Sequence, residues 1–155
     1  MSGPSPLAAV AAAGGRFAVR GDRLRLTART NLPAAVVESA FAEVRGWHHR
    51  HREALAHHRA LHPADEAASL AWGEMQARWH RLCGERVAEW QCAGCREPIG
   101  GFDALPLGEG NRVHLGEAHG LDCLLAYGRR WRGAATRALV AMGLLPPADD
   151  DEAAP

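Results

Sequence analysis

The chain has 155 residues, a formal net charge of zero and an apolar content of 47%, much of it alanine. That length allows one ordinary domain or two small ones, and the neutral balance excludes a uniformly basic nucleic-acid binder. All 18 basic residues are arginine, so a lysine Schiff base, a Walker-type phosphate loop and a lysine general base are excluded as well. In chain order, Ser5 as N-cap, Pro6 at the first helical position and the Gly14-Gly15 stop predict a short helix. Phe17 and Val19, then Leu24 and Leu26, alternate with arginines around Gly21-Asp22. That pattern predicts a type II′ hairpin with one apolar face and one face lined by Arg16, Arg20, Arg23 and Arg25. A two-stranded ribbon needs helices to pack on. Asn31 is the expected cap of the next helix, whose stripe is Leu32, Val36, Val37, Ala40, Phe41 and Val44, and Gly46 is expected to bend or interrupt it.

The short helix, the hairpin GGRFAVRGDRLRL and the helix LPAAVVESAFAEV together resemble the N-terminal docking domain of the TubC type over residues 5–60. The resemblance implies an α-β-β-α-α fold and a role in bringing synthetase subunits together, often as dimers. It makes the hairpin the recognition edge, with Arg20, Arg23 and Arg25 meeting a protein partner, and it adds a homodimer to the expectations. The chain departs from the family at WHHRHREAL, where members usually carry a basic HK, and nothing like a synthetase module follows. Only the fold and the docking role are therefore carried over.

His48, His49, His51, His57, His58 and His62 crowd the same region. No carboxylate or cysteine in the sequence is arranged to complete a metal site with them, so they read as a solvated helix face that becomes cationic below about pH 6.5. After Pro63 a long helical pattern runs over residues 64–90. Ala68, Trp72, Met75, Trp79, Leu82 and Arg86 follow an a/d-like seam, expected to pack mainly within the chain. Cys83 is read as a half-buried spare thiol.

The densest chemistry lies between Cys92 and Cys123. A C-x-x-C turn lets two thiolates converge on one soft cation, and a structural zinc site needs two further N/S ligands. Cys92, Cys95, His114 and Cys123 are the expected set. His119, four residues before Cys123 and thus on the same helical face, is the alternative to His114. The strand–Gly-Glu-Gly–strand pattern ending at His114, followed by a helix opening at Cys123, resembles treble-clef and LIM-type fingers. In those fingers the histidine and the last cysteine are closer together than here. Asp103 is a candidate partner for the ligand histidine. Four protein ligands close the coordination sphere, so the zinc is expected to be structural.

The last helix is expected to pack through Leu121, Leu124, Leu125, Trp131, Ala135, Leu139 and Met142, with Gly143 as its stop. Arg129, Arg130, Arg132 and Arg137, interleaved with Tyr127 and Trp131, have the composition of a phosphate-contacting helix with stacking platforms. A nucleic-acid-binding accessory role is the alternative this suggests. No H-E-x-x-H, nucleophile elbow or deaminase arrangement is present. A zinc enzyme would need an open metal position, with Glu117 as base.

The fold expectation is α+β: an α-β-β-α-α docking-like module over 1–62, a connecting helix over 63–90, a treble-clef-like zinc module over 91–146 and a disordered acidic tail over 147–155. The functional expectation is a non-enzymatic, zinc-stabilised interaction or adaptor protein. Four cysteines without a disulfide framework suit a reducing compartment. No stretch approaches the roughly 20 apolar residues of a membrane span, so the cytoplasm is expected, in a bacterial or mobile-element setting that the arginine- and alanine-rich composition resembles.

Overall fold

Ser5 Oγ accepts a hydrogen bond from the Ala8 amide at 3.1 Å, and Pro6 opens α1 (Pro6–Ala12). Both signals act as their chemistry dictates, because the cap satisfies one of the orphan amides at the helix start and proline lacks another. The structure, a computed structural model, describes residues 5–100, 103–118 and 120–148. Among them the architecture is α+β, with four α-helices and three two-stranded antiparallel sheets. The chain divides into two units, 5–75 with 137–148, and 76–136. His119 and residues 149–155 of the expected acidic tail lie outside the described residues.

In the first unit, β1 (Arg16–Arg20) and β2 (Arg23–Thr27) form the expected hairpin, with Phe17 opposite Leu26 and Val19 opposite Leu24. Gly21 has φ +65°, and Asp22 is not in the positive-φ region, the signature of a II′ turn. Phe17 is buried and meets Phe41 edge-on at 5.2 Å. Phe41 belongs to α2 (Ala34–Arg59). Two expectations are corrected here. The cap position of α2 is Pro33, with no side-chain cap bond, not Asn31. The helix also runs through Gly46 without a break. A mid-helix glycine costs only about 1 kcal/mol relative to alanine, and the burial of Val44 and Trp47 on either side outweighs it.

α3 (Ala64–Cys83) begins after Pro63. In the first unit it buries Ala67, Ala71, Trp72 and Met75. The expected seam is therefore displaced: Ala67 and Ala71 are fully buried, while Leu82 is 61% exposed. The histidine row is not simply a solvated face. His48 Nε2 lies 2.8 Å from the Met142 carbonyl, His51 sits edge-on to Trp72, and His58 Nε2 contacts Glu74 at 2.6 Å. His49 and His57 remain exposed. Leu139, Met142 and Leu144 complete the apolar interior of this unit. Gly143, at φ +83°, turns the chain just past α4 (Cys123–Ala141).

In the second unit α3 stops at Cys83, not near residue 90 as expected. A side chain at Gly84 would strike the His80 ring, and Arg86 donates to the Arg81 carbonyl at the open end of the helix and to the His80 carbonyl, which also accepts the Gly84 amide. Cys83 is exposed rather than half-buried. β3 (Ala104–Pro106) pairs with β4 (Arg112–His114), and β5 (Glu117–Ala118) with β6 (Leu121–Asp122). The core gathers Cys92, Ala93, Val113, Cys123 and Tyr127, with Val87, Ile99, Leu105 and Trp131 packed against it. Beside it runs a buried polar chain. Asn111, 1% exposed, accepts from the Val87 amide at 3.1 Å and donates to the Glu85 carbonyl and to Tyr127 Oη at 3.1 and 3.0 Å. Tyr127 Oη lies 2.6 Å from His80 Nε2, and the His80 ring stacks on Trp131 at 4.7 Å.

Candidate metal centre

The C-x-x-C turn is a tight knuckle. Cys92 N–H donates to the Glu97 carbonyl, Arg96 N–H donates back to the Cys92 carbonyl at 2.9 Å, and Arg96 itself takes φ +71°. The Gly94 amide points at Cys92 Sγ at 3.3 Å. Any side chain at Gly94 would collide with the Cys123 backbone, so glycine is what lets the knuckle sit on the first residue of α4. His114 closes β4 and Cys123 opens α4. The side chains of Cys92, Cys95, His114 and Cys123 thereby converge, with all four ligand atoms within 4.8 Å of one another.

The donor set fits a tetrahedral metal. His114 Nδ1 lies 3.4 Å from Cys95 Sγ and 3.6 Å from Cys123 Sγ. Metal–nitrogen and metal–sulfur bonds of about 2.0 and 2.3 Å place N and S about 3.5 Å apart on a tetrahedral edge. His114 Nε2 is 3.2 Å from the Pro98 carbonyl. A carbonyl only accepts, so Nε2 carries the proton and the lone pair of Nδ1 faces the sulfurs. The partner of the ligand histidine is thus Pro98, not Asp103, whose exposed residue offers its backbone carbonyl to the Leu115 amide.

The sulfurs are electrostatically frustrated as bare thiols. Burial disfavours charge at Cys92, but the amides of Cys95, His114 and Gly94 outweigh it and bring that thiol down to about 6. At Cys123 burial dominates, and the neighbouring sulfurs of Cys92 and Cys95 add to it, pushing the thiol up to about 12. A cation between them removes this conflict, since it stabilises every thiolate at once.

A second layer of contacts braces the knuckle, and the sequence reading did not anticipate it. Arg130 donates to the carbonyls of Ala93 and Gly94, the latter at 3.1 Å. Glu85 joins Arg96 at 2.5 Å and Arg130 at 3.6 Å, and its carboxyl is held low by the Arg96 hydrogen bond in particular. The spacing was available as a signal: Arg130 lies two helical turns beyond Cys123, on the same face of α4.

The remaining candidate residues fall as follows. Arg20, Arg23 and Arg25 are exposed on the polar face of the hairpin, with Arg20 directly opposite Arg23. On α4, Arg129, Arg132 and Arg137 are exposed, whereas Arg130 is engaged by the knuckle. The expected stacking platforms are corrected: Tyr127 is 7% exposed, and Trp131 is half-buried against His80. Among the described residues no helix is long and apolar enough to cross a membrane. Compared with family models, curated proteins and solved structures, the chain matches none.

Proposed function

We infer that this chain is a non-enzymatic interaction or adaptor protein whose residues 76–136 are stabilised by one structural zinc ion. The observation that carries this reading is the orientation of His114. With Nε2–H committed to Pro98, Nδ1 is the fourth donor beside the thiolates of Cys92, Cys95 and Cys123. Three thiolates and one imidazole favour zinc over harder cations, and four protein donors fill a tetrahedral sphere and leave no position for substrate. When bound, the ion ties the knuckle, the end of β4 and the start of α4 into one cross-link. The docking role is supported by the order helix, hairpin, helix, helix over residues 6–83 and by the exposed arginine face of the hairpin. Such a face suits a protein partner with an acidic surface. Thiolate ligation suits a reducing compartment, which supports the cytoplasm as the setting.

The experiment is metal analysis with thiol titration on untagged protein, comparing wild type with His114→Ala and His119→Ala. One zinc per chain, lost in His114→Ala and kept in His119→Ala, is the expected result. No metal in the wild type, or metal retained by both variants, ends the zinc reading. Charge reversal at Arg20, Arg23 and Arg25 should abolish partner binding without changing metal content.

A further inference from the structure

A groove runs along α2 within the first unit. His48, His51, Leu55 and Arg59 follow one another at three- and four-residue steps, so they share one side of that helix. Residues of β1, Ala68 of α3 and the segment that leaves α4 through Gly143 complete the lining. The space has a volume of about 660 Å³, inside the roughly 300–1,000 Å³ of clefts that take small molecules. Phe17 and Leu144 in its lining are buried, but Val19, Val140 and Leu145 are 50%, 44% and 81% exposed. Apolar side chains left wet around one hollow favour an occupant that removes them from water.

The polar members of the lining say which occupant. His48 Nε2 donates to the Met142 carbonyl, so that N–H is spent inside the fold. His51 lies edge-on to Trp72, and burial, with His48 beside it, lowers its pKa below the ordinary 6.5, so the middle of the groove stays uncharged at neutral pH. Arg59 is always charged. No carboxylate lines the groove, and among the described residues the Arg59 guanidinium has no ion-pair or hydrogen-bond partner. Its side chain leans back along α2 over the preceding turn, the turn of Leu55. Pro146 and Pro147 lack amide hydrogens, so that part of the lining donates nothing to a polar ligand. An unpaired cation at one end of an apolar cleft is complementary to an anion carried on an apolar body. From His48 to Arg59 the groove follows about 16 Å of helix. An extended chain advances about 1.2 Å per bond, which makes decanoate and dodecanoate the acids of matching length. We propose that this groove binds a medium-chain fatty acid as its free anion, the carboxylate on Arg59 and the acyl chain along Leu55 and His51 beside Val140 and Leu145.

The test is isothermal titration of the full metal-loaded chain with octanoate, decanoate and dodecanoate, each below its micelle concentration. Metal content and far-UV circular dichroism are measured on every sample. One equivalent is expected to bind, with affinity rising about fourfold for each further methylene that the groove buries. Arg59→Gln, at an exposed position, should weaken decanoate about tenfold or more and leave the uncharged decanol unchanged. Val140→Asp should weaken both, because it puts a charge beside the acyl chain. Should Val140→Asp lose its helix signal, Arg59→Gln decides alone. No binding below the micelle concentration overturns the proposal, as does uptake of several equivalents per chain or a decanoate affinity that Arg59→Gln leaves unaltered. Attachment to anionic vesicles without binding of the monomeric acids would mark a membrane-surface patch, and it overturns the proposal too.

Discussion

Arg130 and Gly94 meet at 3.1 Å across 36 residues of sequence, the guanidinium of a helix donating to a carbonyl of the cysteine knuckle. The same side chain reaches the Ala93 carbonyl and the Glu85 carboxylate. Two of the three peptide groups between the cysteines, those bearing the Ala93 and Gly94 carbonyls, are thereby held in place by the fold itself. Arg130→Gln keeps a donor but loses the fork and the charge. We expect metal affinity to fall about 10- to 100-fold, the usual cost of removing a group that orients a ligand. Competition with a chromophoric chelator measures it, and an unchanged affinity would show that the knuckle holds its shape without the brace.

Removing the metal should be felt through residues 76–136, because their ligands come from three separate elements and their core is built around two of the ligand cysteines. With a chelator added, amides of β4 and the first turns of α4 are expected to lose hydrogen-exchange protection, and zinc should restore it. Protection that persists without metal would mean that packing alone holds this unit.

His80 makes the unit sensitive to acid. Burial lowers its pKa below the ordinary 6.5, and the nearby Arg86 charge lowers it further. The unfolded chain therefore binds this proton more readily than the folded one. Its contribution to stability is fully present above about pH 6.5, declines as the pH falls below that value, and is lost once the pH passes the folded pKa. Urea midpoints for wild type and His80→Gln at several pH values check this. The wild type should show the steeper decline below pH 6.5, and parallel curves would count against it.

Gly143 adopts φ +83°, and a Cβ there would lie 3.2 Å from the Phe17 carbonyl. Gly143→Ala should destabilise the protein by roughly 1–2 kcal/mol for the left-handed conformation alone, with more if the Phe17 strand must shift. Equilibrium unfolding is the measurement, and a neutral effect would mean that the turn relaxes.

Where local chemistry decides conformation, the sequence was readable. Ser5 and Pro6 start a helix, Gly21-Asp22 turns a hairpin, and Cys92, Cys95, His114 and Cys123 converge because each stands at a knuckle, a strand end or a helix start. Where tertiary contacts outvote local preference, it was not. Gly46 looked like a break because its cost is local, while the burial of Val44 and Trp47 that overcomes it is not. Gly84 looked tolerable inside a helix because its conflict with His80 exists only once both are folded. Tyr127 read as a surface aromatic among arginines, but Asn111 and His80, distant in sequence, draw it inward. Arg130 was grouped with its charged neighbours although its partners are carbonyls.

The division of the chain into 5–75 with 137–148 on one side and 76–136 on the other also orders events during synthesis. The hairpin and α2 leave the ribosome before residues 76–136, yet the residues that complete their interior, Leu139, Met142 and Leu144, emerge only after that stretch. The continuous stretch from 76 to 136 can close as soon as Cys123 and the first turns of α4 have emerged. Of these two units, the one begun first is therefore the one finished second, and a nascent chain halted near residue 136 would leave that unit with an open apolar surface.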